Sequence, residues 1–210
     1  MKQVSIIDYG IGNVLSVKRA FENQGAQTEF VSTPEEIMQA EKLVLPGVGA
    51  FKDGIYELKK RNLIEAIQNY CDGSRPFLGI CLGMQMMLEE SEEFGVSQGL
   101  GIIPGKVVRI EDTTEAGEFQ KVPHVGWNGL RYTRTTEDTI LKGVPEGERM
   151  YFVHSYTARP KEESYRLADT YYGGRRLSAV IQKGKCYGTQ FHPEKSGEWG
   201  LKILQNFMGL

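Results

Sequence analysis

Cysteine and histidine are scarce in this 210-residue chain, with three of each. Cys71, Cys81 and Cys186 do not stand at metal-ligand spacings. An odd, sparse set also argues against a disulfide framework, so the expectation is a chain without metal in a reducing cytoplasm. No apolar run is long enough to cross a bilayer, which argues against a membrane protein. Lys and Arg are scattered rather than clustered and the formal net charge is -2, so the footprint of a nucleic-acid binder is missing. The start, "MKQVSIIDYG", enters a strand-like run at once and lacks the features of a signal peptide. There is no internal repeat, no low-complexity tract and no Pro/Gly/Ser-rich linker. Residues 1–210 are therefore expected to form one domain.

What is present first is alternation. "QVSIID", "QTEFV", "KLVLPG" and "RPFLGI" read as strands, and between them "NVLSVKRAFENQG", "STPEEIMQA" and "NLIEAIQNYCDG" read as helices. Thr33 is placed to cap a helix, with Pro34 at the first helical position and Glu36 closing a capping box. Gly25 marks a helix stop. Such alternation predicts a parallel sheet covered by helices on both faces. After about the midpoint the pattern changes. "KVVRI", "HVGWNGLRYT", "RMYFVHSYTA", "YRLADTYY", "RLSAVIQKG" and "CYGTQFH" are strand-like and separated by turn residues, which predicts an antiparallel region continuing the sheet. "EWGLKILQNFMG" closes the chain as a helix, and the polar stretch from Tyr132 to Glu148 reads as surface loop and helix. The fold class expected is α/β: one domain with a mixed, mostly parallel central sheet flanked by helices.

The stretch "PFLGICLGMQMM" sets Cys81 between Gly79 and Gly83, where a strand stops and a helix-like pattern begins. Such a cysteine is either a buried apolar residue at a tight turn or a nucleophile on an elbow. An elbow needs a strand to deliver the residue, a sharp turn to expose it and a helix behind it. Glycines two residues to either side avoid collisions in the turn. A helix N-terminus favours the ionised form of a thiol placed on it, and the next amide, that of Leu82, is free for an oxyanion.

A thiol nucleophile needs a base. His192 stands in "GTQFHPEKS", and in an extended segment Glu194 would share its side and orient the imidazole; the competing reading is a polar turn at a strand end. "VLPGVGAF" ends the third strand with Gly47 and Gly49, which let the Val48 amide approach a ligand; a plain glycine turn is the alternative. The loop has no phosphate-loop lysine.

Together "GICLGMQ", "PGVGAF" and "FHPEKS" resemble the class I (triad) glutamine amidotransferases over nearly the whole chain. "DYGIGN", "HVGWN" and "YFVHSY" are similar to the branch formed by glutaminase subunits of imidazole glycerol phosphate synthases. The resemblance implies a flavodoxin-like core and hydrolysis of L-glutamine to glutamate and ammonia through a cysteinyl thioester, without a cofactor. Cys81 would be the nucleophile, His192 the base and Glu194 its orienting acid, with Val48 and Leu82 supplying the oxyanion hole. Gly49, Gln85, His154, Ser155 and Tyr156 would hold glutamine. Ammonia would pass to a (β/α)8-barrel cyclase subunit, met at Trp127 and Asn128 and at Asn13 and Lys195. Glutaminase subunits of pyridoxal phosphate or anthranilate synthase type, a stand-alone cysteine hydrolase and a non-catalytic scaffold are the alternatives.

Overall fold

The computed structural model describes residues 2–210. In the first half, β1 (Gln3–Ile7), α1 (Val14–Asn23), β2 (Gln27–Val31), α2 (Pro34–Gln39) and β3 (Leu43–Gly47) alternate as the sequence predicts. Then come α3 (Phe51–Lys60), α4 (Leu63–Asp72), β4 (Phe77–Cys81) and a short α5 (Leu82–Met86). The capping box at the start of α2 is complete: Thr33 accepts from the Glu36 amide, and Glu36 accepts from the Thr33 amide. Gly25 follows α1 at φ +82°, the left-handed conformation that ends a helix.

The second half adds β5 (Leu88–Ser91), β6 (Ser97–Gln98), β7 (Ile103–Arg109), β8 (His124–Gly129) and β9 (Arg131–Tyr132). It continues with β10 (Arg149–His154), β11 (Tyr156–Pro160), β12 (Arg166–Tyr172), β13 (Arg175–Lys183), β14 (Cys186–Thr189) and α6 (Gly197–Gly209). Among the described residues, an eight-stranded sheet runs β2-β1-β3-β4-β14-β13-β12-β9. It is parallel from β2 to β14 and antiparallel beyond. Two apolar clusters fill the space on its faces. One holds Ile7, Leu45, Phe51, Phe77 and Met84; the other holds Val4, Val44, Ile80, Phe152 and Phe207.

Three local expectations are corrected, and one helix outside the sequence reading is present. "RMYFVHSYTA" is two strands: the chain bends at Ser155, so β10 pairs with β8 while β11 pairs with β7 in a separate four-stranded sheet. The helical pattern behind Cys81 ends after five residues, and Leu88 belongs to β5. Helix α3 is not evident in the sequence, because Gly54 interrupts its pattern; a Cβ there would lie 2.7 Å from the Met86 sulfur, so Met86 would have to shift. The polar stretch after Tyr132 is turns without a helix, held by side-chain bonds such as Thr139 Oγ1 to the Thr136 carbonyl.

Strands β3, β4 and β14 lie side by side and point the same way, with Gly47 opposite Cys81 and Thr189 opposite Ile80. Their C-terminal ends bring the Val48 loop, Cys81 and the segment carrying His192 to one edge of the sheet. Ligands in open α/β sheets bind beyond that edge.

Candidate active site

Cys81 has φ 55° and ψ -108°, an unfavourable backbone conformation for a residue with a side chain. Its neighbours make the turn possible. A Cβ on Gly79 would lie 2.7 Å from the Gly83 carbonyl oxygen, and one on Gly83 would overlap the Leu45 carbonyl. The glycines are therefore required by backbone approach, as an elbow demands. Leu82 supplies the first amide of α5, which has no acceptor within its own helix. With α5 only five residues long, the helix contributes little field at the thiol.

His192 is the buried residue just before a 3-10 turn, Pro193–Lys195. Its Nδ1 lies 2.8 Å from Glu194 Oε1. The contact agrees with the sequence reading, but the backbone is a 3-10 turn rather than an extended segment. The turn is anchored to β10: the His192 amide donates to the Tyr151 carbonyl, Ser196 Oγ donates to the His192 carbonyl, and the Tyr151 amide donates to Ser196 Oγ. Burial works against charge on His192. The neighbouring Cys81 side chain, the hydrogen bond with Glu194 and the charges of both outweigh it and raise the imidazole from 6.5 to about 9. At that value the imidazole carries its proton at neutral pH.

A cavity of 440 Å³ opens over these groups. Val48, Gly49, Cys81, Leu82 and Gln85 line one side of it. His154, Ser155, Tyr156, His192 and Lys195 line the other. Glu194 stands behind His192, its side chain 1% exposed. Gly49 has φ +97° and open space where a Cβ would be. Asn13, Trp127 and Asn128 do not line the cavity. Asn13 caps α1, accepting from the Ser16 amide. Trp127 is 47% exposed beside Tyr151. Asn128 turns its amide inward, donating to the Tyr171 carbonyl and meeting His124 Nε2 at 3.1 Å.

Several contributors escape sequence reading. Gln190 is fully buried, and its Nε2 is 3.9 Å from the Cys81 sulfur. Gln85 Nε2 donates to Gln190 Oε1 at 3.1 Å and to the Tyr156 carbonyl at 3.0 Å, so a single amide ties the floor of the cavity to its wall. The signal was a glutamine in a strand-like run that otherwise ends in core residues. Glu93 also lines the cavity, and its carboxylate accepts from the Phe51 amide at 2.7 Å, fixing the start of α3 behind the Val48 loop. In the sequence it is one acid in an acidic run. His124 stacks between Phe152 and Tyr172, and its Nδ1 meets His154 Nε2 at 3.0 Å. His154 Nδ1 donates to the Tyr156 carbonyl, which stiffens the bend at Ser155.

A cysteine on an elbow, a histidine with an acid behind it and a cavity in front of both stand together at the edge of an α/β sheet. Residues 5–209 match the family described as Glutamine amidotransferase class-I, and the chain belongs to that family. It is 54% identical to imidazole glycerol phosphate synthase subunit HisH 1 of Legionella pneumophila (strain Lens), over 99% of each chain. It is 48% identical to subunit HisH of Syntrophotalea carbinolica, over 97% of this chain and 98% of the other. Against HisH of Geobacillus kaustophilus the identity is 46%, over 99% and 96%. A chain in the structure of PurLQS from Thermotoga maritima shares the fold with a TM-score of 0.74 at 19% identity, covering 100% of this chain and 99% of that one.

Proposed function

We propose that the chain is the glutaminase subunit of an imidazole glycerol phosphate synthase, an enzyme of histidine biosynthesis. The full-length identity to HisH subunits supports that reading. The observation that carries the chemistry is Cys81 and His192 lining one cavity, with Glu194 hydrogen-bonded to the imidazole.

In this reading L-glutamine enters with its side-chain amide over Cys81. Gly49, His154, Ser155 and Tyr156 hold it, with Gln85 bracing the wall. His192 takes the thiol proton as the sulfur attacks the amide carbon. The Leu82 and Val48 amides stabilise the oxyanion. His192 returns the proton to the leaving nitrogen, and ammonia departs from a glutamyl thioester. Water, activated by the same histidine, then releases glutamate and frees the thiol. Glu194 holds the imidazole in the tautomer that exposes Nε2 to the sulfur. No metal or cofactor takes part.

Ammonia passes to a (β/α)8-barrel cyclase subunit in a cytoplasmic heterodimer. The cyclase uses it on a phosphoribulosyl formimino aminoimidazole carboxamide ribonucleotide, forming imidazole glycerol phosphate and the aminoimidazole carboxamide ribotide. A surface suited to docking borders the cavity. On the β8–β10 ribbon, Val125 faces Val153 and Trp127 faces Tyr151; Val125, Trp127 and Val153 are 54%, 47% and 38% exposed. Val153 also lines the cavity, so a partner seated there would stand at its mouth. Trp127 is the central contact, with Asn128 behind it and Asn13 and Lys195 at the margins.

Hydrolysis without an acceptor wastes glutamine, so an oxyanion hole that completes only when the acceptor site is filled is favoured. Gly49 gives the Val48 loop the freedom to reorient. A missing oxyanion donor costs about 10²–10³ in rate. The test compares initial glutaminase rates of the isolated chain, the chain with cyclase, and the pair with its nucleotide. Stimulation of at least about 10² is expected in the liganded pair. An isolated chain already at full speed would instead favour a stand-alone hydrolase.

A further inference from the structure

The catalytic scheme uses one of the three cysteines; the other two stand together. Cys71 lies in the last turn of α4 and Cys186 opens β14. The Cys186 sulfur is 3.7 Å from the Cys71 carbonyl oxygen, which sets the two residues side by side. Both are free; Cys186 is buried and Cys71 is half-buried at the edge of the same core. Cys186 sits beside Phe77, at the start of β4, whereas Cys81 ends that strand. The pair is therefore roughly 13 Å of strand away from the catalytic thiol, at the opposite edge of the sheet.

We propose that Cys71 and Cys186 form a two-electron redox site that hydrogen peroxide closes to a disulfide. The neighbouring Cys71 side chain lowers the pKa of Cys186; burial opposes this, and the Lys183 ammonium assists. In the proposed reaction Cys186 attacks the peroxide and Cys71 resolves.

The Cys186 thiolate attacks one peroxide oxygen. The O–O bond breaks, a sulfenic acid forms at Cys186, and the departing hydroxide takes the Cys71 proton to become water. The Cys71 sulfur then attacks the Cys186 sulfur. The S–S bond forms, the S–O bond breaks, and the hydroxide leaves with a proton from solvent as the second water. Counting the proton Cys186 gave up on ionising, two thiols and one peroxide become one disulfide and two waters. Two electrons move from sulfur to oxygen.

The closed form joins the end of α4 to the first residue of β14, across 115 positions of sequence. It restrains the unfolded chain without touching the cavity. In a reducing compartment such a bond is transient, which suits a sensor rather than a staple.

The test treats the full chain with hydrogen peroxide, blocks remaining thiols with N-ethylmaleimide in denaturant and maps the peptides by mass. The expected product is a peptide pair joining Cys71 to Cys186, 2 Da below the sum of the reduced peptides, lost on treatment with dithiothreitol. In a Cys81→Ser chain the free-thiol count should fall from two to none. Cys71→Ser should abolish the linked pair while retaining glutaminase activity in the assembled complex. The urea midpoint of the wild-type chain should rise on oxidation, and that of Cys71→Ser should not. The proposal is overturned if Cys71 and Cys186 both remain alkylatable after Cys81 has been oxidised, or if the linked peptide joins Cys81 to either of them.

Discussion

His192 Nδ1 and Glu194 Oε1 are 2.8 Å apart across a single 3-10 turn, with side-chain exposures of 4% and 1%. The other carboxylate oxygen, Oε2, is buried and meets no partner among the described residues. Among the described residues the carboxylate therefore has one polar side-chain partner, the His192 imidazole. Glu194→Gln keeps the shape and removes the charge. It should lower the acylation rate less than His192→Ala, because an imidazole without its acid still accepts a proton, only less well placed. Single-turnover acylation of both variants in the complex checks the order. A deader Glu194→Gln would mean that the acid acts more directly on the reaction.

Cys81→Ser should abolish glutamine-dependent turnover, by at least about 10³-fold, with a normal fold. A hydroxyl at the same position is a far weaker nucleophile near neutral pH. Ammonia supplied in the buffer should still support the cyclase reaction of the complex. Near wild-type glutamine hydrolysis by this variant would remove Cys81 from the chemistry.

Two buried histidines should give the stability curve opposite slopes. His192 is raised to about 9, so its contribution is complete below its unfolded value of 6.5 and is lost as pH climbs through about 9. That loss is at most about 3 kcal/mol. His154 is lowered to about 3, mainly by burial, against the hydrogen bond to the Tyr156 carbonyl. Its contribution is complete above 6.5 and declines as pH falls towards about 3. Urea unfolding from pH 4 to 10 should show a maximum near 6.5. His192→Gln should flatten the alkaline limb and His154→Gln the acid limb; a common effect of both on one limb would contradict the assignment.

Gly83→Ala should destabilise the chain by about 3 kcal/mol or more, since the added Cβ overlaps a carbonyl in the neighbouring strand. Gly95 has φ +98° with open space, so Gly95→Ala should cost only about 1 kcal/mol of backbone strain. Chemical denaturation of both variants distinguishes collision from conformational strain.

The parallel half was legible because each strand and helix carries its own period and the caps are local: Thr33 and Glu36 are three residues apart, and so are their bonds. The elbow was legible for the same reason. Gly79, Cys81 and Gly83 form a turn whose demands are met within five residues. The bend at Ser155 was not, because nothing local separates β10 from β11; their different partners, β8 and β7, impose it. Gln190 and Glu93 were hidden likewise, since their meaning comes from Cys81 and Phe51, which are 109 and 42 positions away.

The proposed triad is divided between the two halves of the chain. Cys81 arrives on β4, His192 and Glu194 follow β14, and the β4–β14 ladder between Phe77–Ile80 and Cys186–Thr189 joins them. Around Gly117 the chain passes through an exposed turn between those halves. A backbone cut there would leave two fragments, each inert by itself. Released ammonia would then report that strand 186–189 had found its place beside strand 77–81, making the chemistry a reporter of fragment complementation.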